Sequence, residues 1–221
     1  MYSVISLANF GIKHPVFNAG FGVERLAMVT EDVDDVRELI YPQFYTHTFT
    51  NREIENSISF VKNPSTAKGY VIAEKIEEIL RKYKDEIAPC EYTVFEDDEV
   101  KVRVVEKEEG KNLLGPAALN EIYVEEGSIL SRVESKQDKD ELKYIKGITL
   151  GVAAQIEENL SKGKKQDTIR IRMARSLSDI NLQIPDRVQD YITGEHKRIK
   201  VGGPVFLTVE YLKKQGQGKN I

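Results

Sequence analysis

Apolar residues recur with two different periods along this chain, and the change from one to the other marks its organisation. The first period is helical. Val33, Val36, Leu39 and Ile40 follow Glu31-Asp32, acids suited to a helix start, and Tyr41-Pro42 ends that run. Thr50-Asn51-Arg52-Glu53 reads as a capping box opening a helix with Ile54, Ile58 and Val61 inward, broken at Asn63-Pro64-Ser65. A longer helix then carries Val71, Ile72, Ile76, Ile79, Leu80, Tyr83 and Ile87 on one side, with Ala88-Pro89 as its stop. Glu74, Lys75, Glu77, Glu78, Arg81 and Lys82 form its solvated face.

From Cys90 the period drops to two. Tyr92–Phe95 and Val100–Val105 read as strands joined by the acidic turn Glu96-Asp97-Asp98-Glu99, and Glu121–Val124 and Ser128–Val133 as a second pair around Glu125-Glu126-Gly127. A polar spacer, 135–139, precedes a helix from about Asp140 to Leu160 with Leu142, Ile145, Val152, Ile156 and Leu160 inward. Gly147 and Gly151 each cost that helix about 1 kcal/mol against alanine, so they imply close packing against a sheet. Thr168–Arg175 alternates, with Ile169, Ile171 and Met173 inward and Arg170 and Arg172 outward. Pro185 suits the first turn of a short helix with Val188 and Ile192, and a hairpin is expected around Gly202-Gly203, with Val205, Leu207, Val209 and Tyr211. Residues 215–221 are expected to be a disordered tail. Short-turn strands with a few long helices indicate an α+β fold with a mostly antiparallel sheet.

One stretch near the start follows neither period alone: Asn18-Ala19-Gly20-Phe21-Gly22-Val23-Glu24-Arg25, then the apolar run Leu26–Val29. Alternating glycines suit a strand that something approaches closely, and an arginine at the following helix start can hold a phosphate. The bland alternative is a glycine-rich strand packed under a helix. The pattern resembles motif 3 of the class II aminoacyl-tRNA synthetases, Gly-x-Gly-x-Gly-x-Glu-Arg, with Asn18 in place of the first glycine. The wider stretch, Ser6–Lys13 through Asn18 to Val29, is similar to the archaeal O-phosphoseryl-tRNA synthetases. That resemblance implies ATP contacts at Gly20, Gly22, Glu24 and Arg25, and an amino-acid contact at Asn18, with Asn9 the second choice. It also implies ATP and Mg²⁺ as cofactors of a complete enzyme.

Composition narrows the rest. Charged residues make up 31% and hydrophobic ones 40% of 221, an ordinary globular composition without a run of eighteen apolar residues to span a membrane. The lone Cys90 excludes an internal disulfide and suits a reducing cytoplasm. Net charge is −4, but residues 1–134 carry about −10 and residues 135–221 about +6, so a polyanion would be met by the later part. Lys164, Lys165, Arg170, Arg172, Arg175, Lys197, Arg198 and Lys200 are its candidate phosphate contacts. His14, His47 and His196 lack metal-ligand spacing, and no Ser/His/Asp or Cys/His set suggests a nucleophile, so no catalytic or metal-binding residue is assigned.

The loop Glu106-Lys107-Glu108-Glu109-Gly110-Lys111-Asn112, with Asn120 beyond it, is the second candidate site. Carboxylates and amides can read exposed base edges. Composition alone favours a solvated acidic loop. The resemblance implies an anticodon-reading segment, with Glu106, Glu108, Asn112 and Asn120 facing the anticodon of cysteine tRNA and Lys111 beside them. It further implies an organisation of four parts. Residues 1–42 would end a class II catalytic domain, 43–89 form a helical connector, 90–214 form the anticodon-binding α+β domain, and 215–221 the tail. Motifs 1 and 2 are not recognised, and residues 2–8 read as the middle of a fold. The expectation is therefore part of a ligase joining O-phosphoserine to cysteine tRNA, inactive alone, acting as a homo-oligomer or with a separate N-terminal portion. Alternatives are a stand-alone tRNA-binding protein, a split synthetase subunit, another phenylalanyl-type class II enzyme, or an α+β domain unrelated to tRNA.

Overall fold

The computed structural model describes residues 8, 9, 11, 12, 14, 16, 20, 22–41, 48–134 and 142–214. It divides into two compact units, 1–48 and 49–221.

In the first unit, α1 (Val23–Glu31) starts directly at Gly22, whose carbonyl accepts from Arg25 N–H at 3.1 Å and Leu26 N–H at 3.3 Å. Glu24 and Arg25 thus lie within the first helical turn rather than ahead of it. Asp32, in the left-handed region at φ 52°, ends α1, and the next helix, α2 (Val36–Ile40), is capped by the Asp35 carboxylate accepting from Arg37 N–H. The helix expected from Glu31-Asp32 therefore begins four residues later, because Asp35 is the residue whose carboxylate supplies the cap. Among the described residues of this unit nothing buries a face of α1, and Val23, Leu26 and Val29 are exposed.

In the second unit Thr50 and Glu53 form the reciprocal capping box, starting α3 (Asn51–Ser57) and turning Ile54 into the core. The helix stops before Val61, which is exposed, because β1 (Ser59–Phe60) leaves to pair with β8 (Leu182–Gln183). Thr66 caps α4 (Ala67–Lys82), which buries Ile72, Ile76 and Leu80; Val71 and Ile87, expected inward, are exposed. The helix ends at Lys82, so the stop at Ala88-Pro89 lies beyond it.

A central sheet runs in the order β2 (Cys90–Glu96), β3 (Val100–Glu106), β10 (Gly203–Lys213), β7 (Gln166–Ala174), every pair antiparallel. A second sheet has the order β6 (Leu142–Lys143), β4 (Glu121–Glu125), β5 (Ser128–Arg132), β9 (Ile199–Lys200), with only the β5–β9 pair parallel. No hairpin forms at Gly202-Gly203: β9 and β10 are successive in sequence but enter different sheets. Between Pro204 and Leu207, β10 carries a bulge against β7, and beyond it Met173 is 43% exposed rather than inward.

Helix α5 (Tyr144–Ser161) packs with α4, and α6 (Asp186–Gly194) adds Val188 and Ile192, with Pro185 as its cap rather than its first residue. Gly147 and Gly151 do permit a close approach, but by the turn at Ile180-Asn181 rather than a sheet. A Cβ on Gly147 would land on the Ile180 carbonyl, and one on Gly151 would meet the Asn181 side chain at 2.9 Å. Ile54, Ile76 and Leu80 share one core with Val102, Val104 and Val209, so the helices at 49–82 are part of the same unit as the sheets.

Candidate RNA-reading groove and nucleotide-facing turn

Two local arrangements carry the candidate residues. In the first unit Gly20 and Gly22 are exposed. A Cβ on Gly20 would meet nothing within 4 Å, and one on Gly22 only Glu24 Oε2 and Arg25 Cγ, at 3.7 and 3.8 Å. This open floor beside the exposed Arg25 side chain is compatible with a phosphate-bearing ligand lying on backbone. Asn18 lies outside the described residues, and Asn9 is exposed. No cluster of three His, Cys, Asp or Glu that could hold a metal occurs among the described residues.

In the second unit the loop 106–112 connects β3 to the turn of 3₁₀ helix at Pro116–Leu119. It is anchored from both ends. Glu106 is only 2% exposed; its Oε2 accepts from Arg172 Nη1 at 2.9 Å, and its Oε1 accepts from the Lys107 and Glu108 N–H groups, both at 3.0 Å. At the far end Ala88 N–H donates to the Lys111 carbonyl at 2.8 Å and Leu113 N–H to the Glu86 carbonyl at 2.8 Å. Gly110 turns the loop at φ 79°, a conformation that favours glycine.

Glu108 is exposed and projects from this frame. Lys111 Nζ lies 2.6 Å from its Oε2 and Arg172 Nη2 at 3.8 Å. The Lys111 ammonium, chiefly by its hydrogen bond, holds the Glu108 carboxyl below the usual carboxylate range against the opposing effect of burial, and the charges of Lys111 and Arg172 add to the depression. Lys111 also sits over the Phe206 ring, 5.0 Å from its centroid.

Lys111, Asn112 and Phe206 line a groove of about 1020 Å³. Lys84, Asp85, Val133, Glu134 and Lys143 also line it. Lys143 and Arg81 both pair with Glu134, at 2.7 and 2.9 Å. Burial resists the Glu134 charge, but those two donors outweigh it and lower its pKa.

The structure thus brings Lys111 and Asn112 to one groove, with Glu108 at its edge through the Lys111 pair. Asn120 follows Leu119, which lines the groove. Its N–H donates to the Ala117 carbonyl and its carbonyl accepts from Tyr144 N–H, both at 3.0 Å. Glu106 faces a smaller hollow of about 250 Å³ with Arg170, Arg172 and Thr208. Phe206 was missed by sequence reasoning because simple alternation makes it an outward residue of a hairpin; the signal was an aromatic two residues after Gly202-Gly203-Pro204.

Similarity to known proteins adds a separate line. The family described as tRNA synthetases class II core domain (F) matches residues 1–48. An O-phosphoserine–tRNA(Cys) ligase of Methanococcus maripaludis is 37% identical over 234 residues, covering 95% of this chain and 44% of that protein. The ligase of the same name from Methanocaldococcus jannaschii is 37% identical over 95% of this chain and 43% of its own length. That of Methanothermobacter thermautotrophicus is 34% identical with the same coverage. The chain spans about 44% of the length of the relatives it matches. In sequence, the chain is similar over nearly its whole length to one portion of these O-phosphoserine–tRNA(Cys) ligases, and its first 48 residues match the class II synthetase core.

Proposed function

We propose that these 221 residues are part of a ligase that attaches O-phosphoserine to cysteine tRNA using ATP, in the cytoplasm. The observation that carries this reading is sequence likeness to such ligases across 95% of the chain. ATP, bound with Mg²⁺, would supply the adenylyl group that activates the phosphoserine carboxylate, with pyrophosphate as the leaving group. Arg25 then holds a phosphate through its planar fork, Gly20 and Gly22 leave room for the nucleotide on bare backbone, and Glu24 sits beside it in the first turn of α1. Asn18 contacts the amino acid.

The groove in the second unit reads the anticodon. Glu108, Asn112 and Asn120 offer an acceptor and two amides to base edges, with Lys111 beside them. Glu106 acts on the RNA indirectly in this arrangement. Its oxygens are committed to Arg172 and two backbone N–H groups, and they set the loop in the form that presents Glu108. Exposed Lys165, Arg170, Arg175 and Arg198 position phosphates without reading sequence. The complete ligase works as a homo-oligomer or with a second chain carrying motifs 1 and 2, and the isolated chain does not catalyse.

Two measurements test this. In gel-shift competition, cysteine tRNA should outcompete a version altered only in the anticodon; equal competition removes anticodon reading. In ATP–pyrophosphate exchange with phosphoserine, the chain alone should be inactive and should gain activity on co-expression with the missing motifs. Full activity of the isolated chain would overturn the division of the enzyme proposed here, and no activity in either form would leave a tRNA-binding protein.

A further inference from the structure

Phe206 occupies a backbone conformation that its side chain does not favour. Its φ is 48°, in the left-handed region, within the bulge of β10 where three steps along this strand match two along β7. Glycine is the usual occupant of such a bulge position, and a bulky residue there is an outlier. The surroundings hold this geometry firmly. Gly115 N–H donates to the Val205 carbonyl at 2.7 Å, and a Cβ on Gly115 would run into the Pro204-Val205 backbone, so the bulge is seated directly on the chain that follows the 106–112 loop. On either side of Phe206, Val205 and Leu207 are fully buried, whereas Phe206 is half-buried and its ring lines the groove. The group over the ring is the Lys111 ammonium, which is shared with Glu108.

We propose that Phe206 is a stacking platform for one unpaired base of an RNA loop, and that this base displaces the Lys111 ammonium from the ring. The inference rests on the anticodon-reading function of the groove and adds to it a residue outside the reading loop. Unpaired bases in RNA loops are held by aromatic stacking as well as by edge contacts, and every base has a face to offer. Displacement also has a consequence for selectivity. As the ammonium leaves, the Glu108 carboxylate loses its nearest partner and can accept hydrogen bonds from the base's own amino or imino groups.

The test uses the full chain and the anticodon stem-loop of cysteine tRNA, native or with one abasic nucleotide at each loop position in turn. Phe206→Ala should weaken the native stem-loop roughly 5- to 150-fold. It should have little effect on the one abasic RNA that lacks the stacked base, and Phe206→Tyr should bind as wild type. Phe206→Asn, which tolerates left-handed backbone, should keep or raise the melting temperature while losing binding, separating the function of the ring from folding. Equal losses for native and all abasic RNAs, or no loss at all, would overturn the platform. Native binding unchanged in Phe206→Ala while wild type still discriminates anticodons would sink the platform alone, whereas wild type without any discrimination would sink the groove's anticodon reading with it.

Discussion

Arg172 Nη1 donates to Glu106 Oε2 across 2.9 Å, so β7 grips the last residue of β3 exactly where the candidate reading loop begins. The carboxylate is almost fully buried and its second oxygen is taken by the two N–H groups that follow it. Removing one partner of a buried pair typically costs about 3–5 kcal/mol, because a charge is left without compensation. Arg172 is 36% exposed, so part of that loss is screened. Arg172→Ala should therefore destabilise the protein by about 1–3 kcal/mol in urea unfolding. A loss below about 0.5 kcal/mol would mean that water reaches Glu106 and that the pair does not define the loop.

Glu108 and Lys165 should behave differently from Glu106 and from each other. Both are exposed, and changing either should alter stability by no more than about 0.5 kcal/mol. If Glu108 reads a base, Glu108→Ala should relax discrimination at one anticodon position by about 1–3 kcal/mol. If Lys165 meets phosphate, Lys165→Ala should weaken all tRNAs alike and lower the salt slope of binding by about 1. Binding titrations at several salt concentrations, with native and anticodon-altered tRNA, separate the two. The opposite assignment of effects would refute this division of labour.

What the sequence disclosed and what it withheld follow from how local each signal is. The Thr50–Glu53 capping box lies within four residues, and the β2–β3 pair is joined by a short acidic turn, so both were legible. The separation of β9 from β10 was not. Each strand's partners, β5 for one and β3 and β7 for the other, lie far away in sequence, and nothing local chooses between them. The candidate site divides in the same way. An acidic run such as 106–109 looks uniformly solvated, and only Arg172, 66 residues on, shows that its first member is buried. The alternating glycines ahead of Glu24-Arg25 were visible as a pattern, whereas the start of α1 at Val23 rather than after Arg25 is a property of the backbone.

Gly69 offers a test of the packing between α4 and α5. An added Cβ there would strike the Glu157 carboxylate and Pro64, although alanine is ordinarily the better helix former by about 1 kcal/mol. Glu157 is not free to retreat, since its oxygens accept from the N–H and hydroxyl groups of both Ser65 and Thr66. Gly69→Ala should thus be net destabilising by about 1–3 kcal/mol, read from the urea midpoint. A stabilised variant would show that Glu157 swings away at little cost and that this cap is loose.

Glu158, the next residue along α5, should contribute stability that disappears in acid. Lys162 and Lys62 approach its two oxygens at 2.6 and 2.9 Å, and their hydrogen bonds and charges lower its pKa from 4.5 to about 2, Lys162 having the larger effect. A carboxyl depressed in the folded state stabilises that state fully above the unfolded value, and the contribution is lost as pH falls through the folded one. The window here runs from about 4.5 down to about 2. Glu158→Gln should accordingly be less stable than wild type at pH 7, and the gap should close progressively as the pH is lowered through that window. Because the group is exposed, the gap at pH 7 should also shrink in high salt. Urea midpoints for both proteins at pH 7 and near pH 2, each at low and high salt, decide the matter: a gap independent of pH would mean that Lys62 and Lys162 do not hold this carboxylate in solution.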